Sequence, residues 1–145
     1  MKNRKSIFIQ FIAAVCSLFV SSACILFVPV VYSRSTVTLI CSAVFWMSLI
    51  IGYILISIIH RKDNQKKNRR RVAIIIFFRN PPAKVADVAF IVSIVAVFTI
   101  GVLKIQIGYL QYVLYFIMVF SFHMHSLFNS DTYRFIQSEV RREKG

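Results

Sequence analysis

Apolar and polar positions in this chain segregate into blocks rather than alternating. Four apolar runs, Ile7–Val31, Thr36–Ile59, Val85–Leu103 and Ile105–Phe128, hold 25, 24, 19 and 24 residues, and Asp87 is the only Asp, Glu, Lys or Arg within them. A helix rises about 1.5 Å per residue and a bilayer core is about 30 Å thick, so each run is near or beyond the length that one crossing needs. The pattern predicts four transmembrane helices, an all-α membrane protein built as a four-helix bundle of two antiparallel hairpins.

The connections are as informative as the runs. Tyr32–Ser35 joins the first two spans and Lys104 separates the last two, so both turns are too short for anything but a hairpin. The middle connection, 60–84, is different: Arg61–Arg71 carries seven Lys or Arg against one acid. Beyond it Val72–Phe78 is apolar but too short to cross, and is expected in the interface with Phe77 and Phe78 among the headgroups. Pro81 and Pro82 suit the first turn of a helix and forbid continuity upstream. In the tail, 129–145, Tyr133, Ile136 and Val140 make one stripe among basic residues, which predicts a short amphipathic helix lying on the membrane surface. Small residues recur at helical spacing on three spans (Ala13, Ser17 and Ser21; Ser48 and Gly52; Ala86, Ala89, Ser93 and Ala96), marking faces where backbones can approach.

Composition strengthens the membrane reading: 58% of residues are hydrophobic and the mean hydropathy is +0.71, too much apolar surface for a water-soluble domain of this size. Lys2–Lys5 before an apolar stretch is how a signal peptide opens, but the first run outlasts the short apolar region of such peptides, so a retained span is expected. The net charge of +13 would point to nucleic acid in a soluble chain. Its distribution points elsewhere. All but two of the 18 basic residues, Arg34 and Lys104, fall at one end of the spans, which places that end and both termini in the cytoplasm of a multi-pass cell-membrane protein. Arg61, Lys62, Lys66, Lys67, Arg69, Arg70 and Arg71 are then expected to meet anionic lipid headgroups or a partner's acidic surface, with no role for nucleic acid.

Chemistry is sparse. Cys16, Cys24 and Cys41 lie inside apolar runs without a CxxC pair, and the chain holds no HExxH motif, phosphate-binding glycine loop or catalytic triad pattern, so neither metal nor cofactor is expected. No acid lies in Ile7–Val31, where small multidrug transporters carry a glutamate. Ionisable groups inside spans are nonetheless candidates for function, and His60, Asp87, His125 and Asn129 all fall at the basic end, with Gln10 at the same level. His125 shares a helical face with Ser121 and Asn129, whereas His123 shares one with Phe116, Val119 and Phe120. These residues are expected to form a polar ring at the bundle's mouth, with an Asp87–His125 pair; the competing reading pairs Asp87 with Lys84 one turn away. The expected function is an accessory or interaction subunit of a membrane complex, or a homo-oligomer. The alternative is a small transporter or membrane enzyme using Asp87, His60 and His125.

Overall fold

A computed structural model of the chain describes residues 2–31, 35–66 and 77–144, with side chains over 6–29, 36–65 and 77–141. It is all-helical among these residues: α1 (Lys2–Val31), α2 (Ser35–Lys66), α3 (Pro81–Val102), α4 (Tyr109–Phe128) and α5 (Asp131–Lys144). The first four are each long and apolar enough to cross a membrane.

Helix limits follow local chemistry. Asn80 caps α3, its Oδ1 accepting from the Ala83 N–H at 2.9 Å, and Pro81 and Pro82 occupy the first turn. This start lies four residues before Val85, because a proline ring presets the first-turn φ and loses no bond there. The fourth helix starts later than expected. Gly108 takes φ 57 and ψ −131, a conformation closed to residues with a side chain, so Ile105–Ile107 stay in the turn and α4 begins at Tyr109. At the other end α2 runs six residues past His60, and no breaker lies between Arg61 and Lys66 to stop it. Lys62 Nζ there donates to Gln10 Oε1 of α1 at 2.9 Å.

Backbones pack in the order α2, α1, α4, α3: α1 lies against α2, α4 against α3, and α1 against α4, while α2 and α3 share no close backbone approach among the described residues. The four long helices therefore form a row rather than a closed ring. In α1 the packed face is Ala14, Leu18, Ser21 and Ser22, each at most 1% exposed, one position displaced from an Ala13–Ser17–Ser21 face. Gly52 meets it directly. A Cβ on Gly52 would come within 2.8 Å of Leu18 Cδ2 and 2.9 Å of Leu18 Cγ, so a side chain there would have to displace Leu18 from the seam between the two helices.

The tail helix does not spread its apolar stripe outward. Phe135 and Ile136 are buried with Ile7 and Ile59 in one cluster, with Phe11 and Val140 packed beside it. The two-residue turn Asn129–Ser130 folds α5 back beneath the protruding ends of α1 and α2, where protein rather than lipid covers its apolar side.

Candidate functional site

The site is assembled at the basic end from three pieces of chain: the first turns of α3, the last turns of α4, and the segment Phe77–Asn80 that leads into α3. Asp87 stands on the α3 face that also buries Ala83, Ala86 and Ser93 against α4. His125 and Asn129, four residues apart, project from one face of α4. Asp87 is completely buried, and its carboxylate accepts three hydrogen bonds: from His125 Nδ1 at 2.7 Å and Asn129 Nδ2 at 2.6 Å on Oδ1, and from the Phe78 N–H at 2.5 Å on Oδ2. Phe78 reaches it by adopting φ 56, a left-handed conformation that turns its N–H toward the helix.

Each donor is held in turn. The Asn129 amide also donates to the His125 carbonyl at 3.0 Å, and its Oδ1 accepts from the Arg79 N–H at 3.3 Å. Arg79 Nη1 pairs with Asp131 Oδ1 at 2.8 Å and donates to the Asn129 carbonyl, and Asn80 Nδ2 donates to the Phe128 carbonyl at 2.8 Å. The His125 ring is packed between Phe77 and Phe90, with ring centroids 4.4 and 5.5 Å away. A carboxylate removed from water is costly unless paired and hydrogen-bonded; here the compensating donors come from two stretches outside α3, the 77–80 segment and the end of α4. The arrangement works as a clasp. It fastens the Phe77–Asn80 segment to α3, to α4 and, through Arg79–Asp131, to the start of α5.

Other candidates lie elsewhere. Lys84 is exposed and makes no ion pair among the described residues, and Asp87 instead turns toward α4. His60 is not part of the Asp87 cluster: its Nε2 accepts from Asn64 Nδ2 at 3.1 Å, which leaves the proton on Nδ1 to donate to Thr132 Oγ1 at 3.2 Å. His123 meets Tyr53 of α2, with Tyr53 Oη and His123 Nδ1 3.0 Å apart. The His123 and His125 rings thus serve opposite faces of α4, as two positions 200° apart on a helix must. Among the described residues no three His, Cys, Asp or Glu side chains converge to hold a metal, and all three cysteines are free thiols.

No protein-family model, curated protein or solved structure matches the chain. Of the basic set, Arg61 is exposed and Lys62 is engaged with Gln10. Lys66 ends α2 with its side chain outside the described residues, and Lys67, Arg69, Arg70 and Arg71 lie wholly outside them. Arg79 and Asn80 belong to the clasp although the pattern of apolar runs does not single them out as site residues. The signal for Asn80 was the Asn-Pro-Pro sequence of a capped helix start; nothing local foretells the partner of Arg79.

Proposed function

We propose that this protein is a non-enzymatic accessory or interaction subunit of a membrane complex in the cell membrane, with both termini and the basic end in the cytoplasm. One observation carries the reading. Asp87, the only acid within the four apolar runs, has both carboxylate oxygens hydrogen-bonded by donors from its own chain, which favours cohesion over turnover as its role. Support for the orientation comes from 16 of 18 basic residues lying at that end. The unfilled part of the molecule is its surface: Trp46, Met47, Ile50 and Ile54 of α2 are more than half exposed, on a flank that the contacts of α2 with α1, α4 and α5 leave uncovered. Such a flank faces lipid or another membrane protein, while the basic end meets anionic headgroups or an acidic partner.

Isolation from native membranes in a mild detergent tests this reading. A complex of fixed stoichiometry, reproduced from independently tagged ends, is the expected result. A second reading, a small transporter or membrane enzyme, draws on the 2.7 Å contact between two proton-exchanging groups, Asp87 and His125. It replaces the first if the protein is isolated alone and proteoliposomes containing it carry a flux that Asp87→Asn abolishes while leaving the helices folded.

A further inference from the structure

We propose that the chain binds one anionic phospholipid, its phosphate held in a pocket between α2, α4 and the start of α5, across α4 from the Asp87 clasp. The proposal deepens the lipid-contact part of the function above and rests on the membrane reading of the helices. The pocket has a volume of about 340 Å³. Drug-sized ligand sites begin near about 300 Å³, so the space admits a headgroup and its first carbons but not a whole lipid. No Asp or Glu lines it.

Its polar lining is under-used. Arg61 makes no hydrogen bond or ion pair among the described residues. The hydroxyls of Ser22, Ser48 and Ser121 turn back to carbonyls of their own helices, whereas Ser57 and Ser126, on facing walls of the pocket, make no side-chain hydrogen bond among the described residues. His123 also lines the pocket at 6% exposure, and its Nε2 is buried with no partner. In the tautomer in which Tyr53 Oη donates to Nδ1, the ring proton sits on Nε2 and lacks an acceptor. A buried donor left unsatisfied is unfavourable, and an oxyanion in the adjoining space is the kind of acceptor it lacks. Ser130 and Thr132 also line the pocket where α5 begins; Ser130 caps that helix and its first-turn Asp131 is paired with Arg79, so Arg61 is the positive charge of the lining.

These donors stand on opposite walls, so a tetrahedral phosphate, with oxygens pointing several ways, meets them better than a planar carboxylate. The tail has a place as well. A second, apolar groove of about 520 Å³ runs along α2 past Trp46, Ile50 and Ile54 and shares Tyr53, Ser57 and Arg61 with the first pocket. A polar chamber opening beside an apolar groove fits a headgroup with an acyl chain, and a free phosphate would leave the groove empty. A choline headgroup would bring a second positive charge beside Arg61 and is disfavoured.

The test is native mass spectrometry of the full chain in a neutral detergent with dioctanoyl phosphatidylglycerol, dioctanoyl phosphatidylcholine or dioctanoylglycerol, each with and without inorganic phosphate. A single phosphatidylglycerol is expected to be retained about tenfold better than phosphatidylcholine, equivalent to about 1.4 kcal/mol. Arg61→Gln should remove that preference, Arg61→Lys should restore part of it, and His123→Phe should weaken retention of phosphatidylglycerol more than of phosphatidylcholine. Lys84→Gln removes the same charge from the same end and should change nothing. Equal retention of the two phospholipids, an unaffected Arg61→Gln, or a Lys84→Gln loss as large as that of Arg61→Gln each overturns the proposal by showing diffuse attraction. Displacement of the lipid by equimolar inorganic phosphate overturns it in favour of a soluble-anion site. None of these results touches the isolation of a stoichiometric complex, so the two readings fail separately.

Discussion

Replacing Asp87 by asparagine is the most demanding perturbation of the clasp. The change keeps the side chain's shape but turns one oxygen into an NH2 donor, in a position surrounded by three donors: His125 Nδ1, Asn129 Nδ2 and the Phe78 N–H. At least one donor must then face another with no water to intervene, because Asp87 is completely buried. Breaking a buried charged pair costs about 3–5 kcal/mol in soluble proteins, while single hydrogen bonds between membrane helices average about 0.6 kcal/mol. With three bonds affected at the end of a span, Asp87→Asn should destabilise by about 2–4 kcal/mol. His125→Gln should cost a similar amount, since it leaves the carboxylate short of a donor. Because both changes destroy the same contact, the double variant should be little worse than either single one, a coupling of about 1–3 kcal/mol. Unfolding of the four proteins in detergent, followed by loss of helicity, measures the cycle. Effects that add to within about 0.5 kcal/mol would refute the clasp as a cooperative unit.

Gly52→Ile should separate α1 from α2, costing about 1–3 kcal/mol by overpacking against Leu18 and Ala14; unfolding in detergent checks it, and an unchanged midpoint would contradict the close approach. Asn80→Ala removes both the α3 cap and the bond to the Phe128 carbonyl, and a loss of about 1–2 kcal/mol is expected in the same assay. Reporter fusions after Arg34 and Lys104 should read external and those at Asn64 and after Lys144 cytoplasmic; an external signal at Asn64 defeats the proposed orientation. In a peptide spanning 61–84, neutralising Arg69, Arg70 and Arg71 should weaken binding to anionic vesicles by about 1 kcal/mol per charge before screening. Equal binding of that peptide to neutral vesicles would leave its charge a topological role only.

Much of this molecule is local. Four helices able to cross a membrane follow from runs that contain a single charge, since in hydrocarbon a backbone must bond to itself and a helix does so within one segment. The start of α3 was legible in Asn80-Pro81-Pro82, and the shared face of His125 and Asn129 in their spacing of four. That Asp87 sits opposite them is a weaker inference, available because hairpin neighbours are antiparallel and their ends meet.

What only the tertiary structure decided is which residues from distant stretches meet, and apolar content does not encode that. Equally apolar helices can pack as a ring or a row; the row arises where small side chains permit close approach, as at Gly52 against Leu18, and it parts the histidines. His60 goes to Thr132 and His123 to Tyr53, while Asp87 keeps His125. The tail stripe of Tyr133, Ile136 and Val140 announces an amphipathic helix equally well for lipid or for protein. Burial of Phe135 and Ile136 against Ile7 and Ile59 depends on how far α1 and α2 project and on a two-residue turn that folds α5 back onto them, a meeting of surfaces from both ends of the chain that no short window of sequence contains.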